Sequence, residues 1–412
     1  MYIKHLSLTH FRNFTRLDID VPRRVIVLTG SNAQGKTSLL EAMYFTSALT
    51  SFQTNADRQL VSFMAAREAQ KQVSVGRIVS VFQRGGSEHR LEVRLIMEPT
   101  GVVNNVRLRK EALFDGVKKP LSEVVGQFNA VVFVPQMSQI IEGGPDERRR
   151  YLNLTLAQTV PTYVRTVSDY NQALSQRNAL LKALNEKGTA SNGMSGQLQA
   201  WDETLARLGA DIIQWRIRAI HEIEHLAARV HSELTRGKEV LRLNYQPAYD
   251  PLPQPDGQLG LKIETPLDRS GLELEDIRTG FIERLARSRR EEIARGMTTI
   301  GPHRDELRFL ANGIDLGHYG SRGQIRTTVL ALKLAEVQWM YERTGEWPVI
   351  LLDEVMAELD LERRADLLKY LGSSEQTLFT TTDLNLFTPE FPEQAEIWDI
   401  EAGTVRVGEK EG

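Results

Sequence analysis

The run VIVLTGSNAQGKT, Val25 to Thr37, limits what this chain can fold into more than any other stretch. A short β-favouring segment feeds a loop with glycines at Gly30 and Gly35, and SLLEAMYF continues it as a helix. This is the strand, loop and helix context that the G-x-x-x-x-G-K-T pattern requires. The two glycines permit a tight turn through Ser31, Asn32, Ala33 and Gln34, whose N–H groups converge on phosphate oxygens. The helix that begins near Thr37 and Ser38 turns its positive end toward the same anion. Lys36 is expected to reach the β and γ phosphates, and the Thr37 hydroxyl suits Mg²⁺, a hard cation that prefers oxygen ligands. The expected ligands are ATP and Mg²⁺.

WPVILLDEV supplies the second half of such a site. Four apolar residues before Asp353 and Glu354 read as a buried parallel strand that delivers both carboxylates at its carboxyl edge. Asp353 is expected to hold the metal, directly or through water, and Glu354 to orient or deprotonate the attacking water. Upstream, YGSRGQIRTTVLALKLAE opens a periodic helix at Ser321 and Gly323, and a Ser-capped helix start is an anion site.

Composition narrows the partners. With 412 residues and 41% hydrophobic content the chain can bury two or three cores, and with no cysteine it forms no disulfide, thiolate metal site or thiol nucleophile. A net charge of -3 argues against coating nucleic acid everywhere and leaves room for a regional basic surface. MYIKHLSLTHFRNF alternates like a strand and lacks the pattern of a signal peptide. The apolar runs are too short to span a bilayer, so a cytoplasmic protein with no membrane partner is expected.

The chain changes character along its length. Residues 1–145 are strand-rich, with RGGS at Arg84 to Ser87 marking a hairpin, and residues 146–296 are mostly helical. In the helical part, GTASNGMSG at Gly188 to Gly196 reads as a helix-to-helix turn, and the stretch Gln246 to Pro255 as a break. Leu198, Trp201, Leu205, Leu208, Ile212, Trp215 and Ala219 recur at steps of three and four, which fits either a coiled-coil seam or an amphipathic helix packed on one neighbour. Strand signals return in 297–412, where Asn312 and Gly313 mark a hairpin. The expected class is α/β, one head assembled from N- and C-terminal segments with a helical arm inserted.

GSRGQ, Gly320 to Gln324, resembles the signature motif of ABC ATPases, and Ala357 to Asp360 resembles their D-loop. FVPQ, ending at Gln136, resembles the glutamine loop that senses Mg²⁺ and the γ-phosphate. More narrowly, FRNF at Phe11 to Phe14, GGPDERRRYL at Gly143 to Leu152, GPHRDEL at Gly301 to Leu307 and YGSRGQ with LALKLAE resemble the RecF family of bacterial recombination mediators over nearly the whole chain. FRNF and the phosphate loop are shared with SMC heads, whose coiled coils are far longer than the arm here. The resemblance departs at Thr382, where ABC transporters place a switch histidine; His303 is not assumed to replace it.

What the resemblance implies is an ATP-dependent homodimer. Ser321, Arg322, Gly323 and Gln324 are expected to complete the ATP site of a partner subunit, with Asp360 in the D-loop, and Arg12 and Asn13 near the nucleotide. A DNA clamp is implied too, one that prefers duplex, gapped or single-strand/double-strand junction DNA and acts with RecO and RecR to load RecA, with weak DNA-stimulated ATP hydrolysis releasing it. Candidate phosphate contacts are Arg148, Arg149, Arg150, Arg287, Arg289 and Arg290, although interleaved glutamates also suit a salt-bridged face. The rival readings are the ATPase subunit of an ABC transporter, a short SMC-like tether and a non-hydrolysing scaffold.

Overall fold

The computed structural model describes residues 1–54, 56–100, 106–187, 192–252, 267–372, 374–387, 391 and 395–407. In chain order the first elements are β1 (Tyr2–Phe11), β2 (Phe14–Asp20), β3 (Val25–Thr29), α1 (Lys36–Ala48), α2 (Phe63–Glu68), β4 (Ser74–Arg84), β5 (Ser87–Pro99), β6 (Val106–Phe114), β7 (Val117–Lys119), α3 (Leu121–Val124) and β8 (Ala130–Phe133). The middle of the chain holds α4 (Gln139–Glu142), α5 (Pro145–Thr159), α6 (Tyr163–Lys187), α7 (Asn192–Leu234), β9 (Leu241–Gln246), α8 (Leu274–Arg295), β10 (Glu306–Ala311), β11 (Ile314–Asp315), α9 (Leu316–Tyr319) and α10 (Arg322–Thr344). β12 (Val349–Asp353), α11 (Val355–Glu358), α12 (Leu361–Leu371), β13 (Thr377–Thr380), β14 (Glu396–Glu401) and β15 (Thr404–Val407) complete it. Packing divides these into two compact units, residues 1–137 with 336–412, and residues 138–335.

The first unit contains two six-stranded sheets. One is antiparallel, in the order β2-β1-β4-β5-β6-β7, and its β4–β5 hairpin turns at Gly85 and Gly86 with φ of +56° and +78°. Both central residues of that turn lie in the left-handed region, where glycine alone has no Cβ to clash. The other sheet runs β15-β14-β3-β13-β12-β8, with every pair parallel except β14–β15. Strands β8, β12 and β13 are buried at every residue, as strands covered on both faces must be. N-terminal β3 lies between C-terminal β13 and β14, so neither end of the chain builds this sheet alone. Leu39, Leu40 and Phe45 of α1 are fully buried in the same unit, each apolar side chain contributing about 1.5–3 kcal/mol of transfer free energy.

The second unit is mainly helical. The residues of α7 at the expected spacing are buried at Leu198, Leu205, Leu208, Ile212 and Ala219, but so are Ala206, Ala210, Ile213, Ile217 and Ile220. The wide stripe has a simple cause: α7 packs against α6, α8 and β9 rather than one partner along a narrow seam. At Gly209 an added Cβ would come 2.5 Å from the Phe281 ring of α8, so the crossing needs glycine. The expected turn at Gly188 to Gly196 is shorter, because 192–196 already open α7 and 188–191 lie outside the described residues. The expected break at Gln246 to Pro255 begins at the end of β9, and its residues from 253 onward also lie outside the described set. β10 and β11 turn through Asn312 and Gly313 at φ +49° and +79°.

GPHRDEL forms an internal hub of this unit. Asp305 is 1% exposed and accepts from Arg216 Nη1 at 2.7 Å, from the Tyr245 hydroxyl and from the Ala248 N–H at 3.0 Å. Arg216 also donates to the Pro302 carbonyl at 2.6 Å and to Asn153 at 3.0 Å. His303 Nδ1 lies 2.8 Å from the Tyr170 hydroxyl, and burial lowers its pKa to about 4, the nearby Arg304, Arg149 and Arg177 charges adding to the effect.

Candidate nucleotide-binding site

The site is built at the carboxyl edge of the parallel sheet. β3 ends at Thr29 and the chain turns through Gly30 at φ +134°, where a Cβ would sit 2.4 Å from the Ile400 carbonyl oxygen of β14. Gly35, at φ +120°, leaves room for Asn13, whose amide nitrogen would lie 2.5 Å from an added Cβ. Both glycines are therefore demanded by backbone angle and by close approach. Asn13 Nδ2 donates to the Gln34 carbonyl at 2.8 Å, and Gln34 accepts further bonds from the Gly403 and Ala402 N–H groups, pinning the loop from two sides.

Lys36 opens α1 and is 5% exposed. Its Nζ donates to the carbonyls of Gly30 at 2.7 Å and Ser31 at 3.1 Å, and lies 3.5 Å from Glu354 Oε1. The next residue, Thr37, donates its hydroxyl to Asp353 Oδ1 at 2.7 Å. Thr380, on the adjacent strand β13, donates to the same oxygen at 2.8 Å and accepts the Glu354 N–H at 2.9 Å. Burial raises the pKa of Asp353, while the two hydroxyl bonds and the Lys36 charge oppose the shift. Glu354 adopts φ +55°, a left-handed conformation that costs a non-glycine residue about 1–2 kcal/mol. Such strain gathers where a side chain must be aimed.

Lys36, Thr37 and Glu354 face a cleft of about 770 Å³, and Asp353 reaches its edge through the bond from Thr37. Asn32, Ala33, Gly35, Lys36, Thr37 and Ser38 line it on the loop side, together with Glu354, Arg12 and Asn13. The opposite side is formed by Gln53, Arg58, Gln59, Val61, Phe63 and Ala66, none of which carries a motif readable in the sequence. Arg12, which lines the cleft as expected of a residue near the nucleotide, also has a structural part. Its guanidinium forms two bonds, at 2.6 and 2.7 Å, with Glu41, a residue of α1 with no exposed surface, and a third to the Gln59 carbonyl at 3.0 Å. Ser51 also donates to Glu41, and its hydroxyl accepts the N–H groups of Gln53 and Thr54. Arg12 thus ties the β1–β2 turn to the phosphate-loop helix and the cleft's far side.

Other expected residues lie elsewhere. Gln136 is exposed in the 3-10 turn that follows β8 and is not among the cleft's lining residues. Asp360 caps α12 by accepting the Arg363 N–H at 2.9 Å. Thr382 is exposed just past β13, preceding a turn in which the Asp383 N–H donates to Thr381 Oγ1.

In the second unit, Ser321 and Gln324 cap α10 reciprocally: Ser321 Oγ accepts the Gln324 N–H at 3.2 Å, and Gln324 Oε1 accepts the Ser321 N–H at 3.0 Å. Ser321, Arg322 and Gly323 are exposed, and Gln324 donates to Glu239 at 2.8 Å. Several arginines expected to face DNA are instead spent internally. Arg148 pairs with Glu306 and donates to the Ile141 and Gly143 carbonyls; Arg149 donates to the Asp305 carbonyl and pairs with Asp146. Arg289 pairs at 2.7 Å with the buried Asp202. Arg287, by contrast, is 74% exposed beside Glu283, and Arg290 is exposed on the same helix.

Comparison with known proteins agrees with this geometry. A family model described as RecF/RecN/SMC N terminal domain matches residues 2–394. The DNA replication and repair protein RecF of Chloroflexus aurantiacus is 38% identical over 411 residues, covering 99% of this chain and 100% of that protein. A solved structure described as the recombination mediator protein RecF-ATP in the RecFOR pathway superimposes with a TM-score of 0.80 at 29% identity, covering 99% of this chain and 98% of that one. An SMC head bound to the C-winged helix domain of ScpA, at 15% identity and a TM-score of 0.50 over 99% and 97% of the two chains, shares the fold. With its phosphate loop and strand-end carboxylates on that ABC-type head, the chain belongs to the RecF family of DNA replication and repair proteins.

Proposed function

We propose that this protein is a cytoplasmic, ATP-dependent DNA clamp of recombinational repair and replication-fork restart. The observation that carries the reading is the convergence of Lys36, Thr37 and Glu354 on one cleft, with Asp353 bonded to Thr37 behind it, reached from strands far apart in sequence. The loop from Gly30 to Ser38 holds the triphosphate, its N–H groups and Lys36 neutralising charge. Thr37 and Asp353 offer two hard oxygens 2.7 Å apart, which fits Mg²⁺ bound through few protein ligands and the phosphates. The metal supplies charge neutralisation of the transferring phosphoryl group. Glu354 orients or deprotonates water, and Gln136 follows the γ-phosphate. Hydrolysis is slow and DNA-stimulated.

Each chain carries one phosphate loop and one signature loop, so two copies make two complete sites when Ser321, Arg322, Gly323 and Gln324 of one face the triphosphate of the other, with Asp360 of the D-loop beside them. ATP then stabilises only the closed dimer. The functional head draws on residues 1–145 and 297–412, with 146–296 as the arm. Arg287 and Arg290 are the arm cations assigned to duplex or gapped DNA. By family membership the partners are RecO and RecR, and the outcome is RecA loading.

Sizing by light scattering without nucleotide, with ADP and with ATP, each with and without gapped duplex, tests this. A monomer that dimerises only with ATP and then retains DNA is expected. An unchanged monomer with ATP overturns the clamp. Lys36→Met is expected to lose both ATP binding and ATP-stimulated DNA retention, because it removes the one cation inside the loop.

A further inference from the structure

The cleft's far side contains one residue that burial alone does not explain. Phe63 is 77% exposed, although it opens α2 and its backbone is well anchored. Ser62 caps that helix through the Ala65 N–H, and the Ser62 N–H donates to the His10 carbonyl at 2.8 Å. Val61 forms a β-bridge with Phe11. The turn that follows β1 carries Asn13, which donates to Gln34 of the phosphate loop. Phe63 therefore stands at a position fixed relative to that loop, and it is the one aromatic side chain among the described residues lining the cleft.

A ligand held by its phosphates in the loop from Gly30 to Thr37 extends its nucleoside end into the remainder of the cleft. A purine presents two flat π faces and a polar edge. An exposed phenyl ring matches the face, and the amides of Gln53 and Gln59, each both donor and acceptor, together with Arg58, match the edge. We propose that Phe63 is the base-stacking residue of this site, receiving the adenine ring of ATP against its face. The assignment rests on the ATP reading above and adds to it the residue that distinguishes a nucleotide from a bare polyphosphate.

Equilibrium binding of two probes to the full chain tests it: Mg²⁺ with ATP, and Mg²⁺ with inorganic tripolyphosphate. Phe63→Ala is expected to weaken ATP by on the order of tenfold, the usual effect of removing one stacked aromatic, and to leave tripolyphosphate unchanged. Phe63→Trp is expected to bind ATP at least as tightly as the unaltered protein. Equal ATP affinity in the alanine variant overturns the assignment. So does parallel loss of both probes, which would mean that the loop itself had moved. Unchanged ATP affinity with loss of the ATP-dependent dimer also overturns it, by making the ring an interface contact. If the unaltered protein binds tripolyphosphate but not ATP, or neither, the nucleotide reading falls first and this assignment with it.

Discussion

Asp353 and Asp305 are both buried aspartates, and their surroundings differ in the respect that separates a reactive group from a structural one. Asp305 faces the Arg216 guanidinium, a tyrosine hydroxyl and a backbone N–H, so charge and hydrogen-bond capacity are met within the fold. Asp353 accepts two neutral hydroxyl bonds and forms no ion pair among the described residues, and burial raises its pKa. A buried carboxylate hydrogen-bonded by hydroxyls and not paired with a charge of its own is suited to a cation brought in with substrate. One with its own arginine is not.

The sharpest way to break this contrast is to remove charge at each position. Asp305→Asn leaves Arg216 buried without a counter-charge, and a loss of about 3–5 kcal/mol in chemical denaturation is expected. Survival with normal stability would show that Arg216 finds another partner. Asp353→Asn should change stability by no more than about 0.5 kcal/mol, or raise it, while ATP hydrolysis falls at least about a hundredfold. The sign follows from its raised pKa: protonation favours the folded state, so the ionised carboxylate costs stability above that value. An equal loss of stability at both aspartates would erase the distinction.

Glu354→Gln sharpens the same contrast from the next residue. Hydrolysis should fall on the order of a hundredfold with ATP still bound, and the ATP-bound dimer should accumulate in sizing experiments. The smallest effect is expected at His303. Its folded pKa of about 4 lies below the unfolded value of 6.5, so the unfolded chain binds the extra proton and stability is lost as pH falls from 6.5 toward 4. Thermal melts of His303→Asn should lose less over that window than those of the unaltered protein. Identical pH profiles would place the histidine in water rather than in the hub.

The difference between the two regions also explains what was legible in the sequence. Gly30, Lys36, Asp353 and Glu354 stand out because a short strand and the turn after it are local, and phosphate chemistry leaves few residue types free. The Gly85–Gly86 and Asn312–Gly313 hairpins were legible for the same reason. Arg12 read as a residue near the nucleotide and does line the cleft, but nothing local reveals that Glu41, 29 residues away and buried, also holds its guanidinium. Arg148, Arg149 and Arg289 looked like a basic surface until tertiary packing supplied Glu306, Asp305 and Asp202. Thr380 had a faint signal, a hydroxyl ending the strand after the carboxylates. Phe63 had none, since an exposed aromatic is recognised only once its neighbours are placed.

The interleaving of β3 between β13 and β14 sets a timetable for the newborn protein. Thr37 and Asp353 are 316 positions apart. At ribosomal speeds of roughly 5–20 residues per second, the phosphate loop waits about 15–60 s for its carboxylates, and longer still for both strands that flank β3. Throughout that interval a partly made chain has a loop and no complete site, so a stalled or truncated product lacks the means to respond to ATP. A complete site therefore comes late, once translation has passed Asp399, the last residue of β14 that pairs with β3.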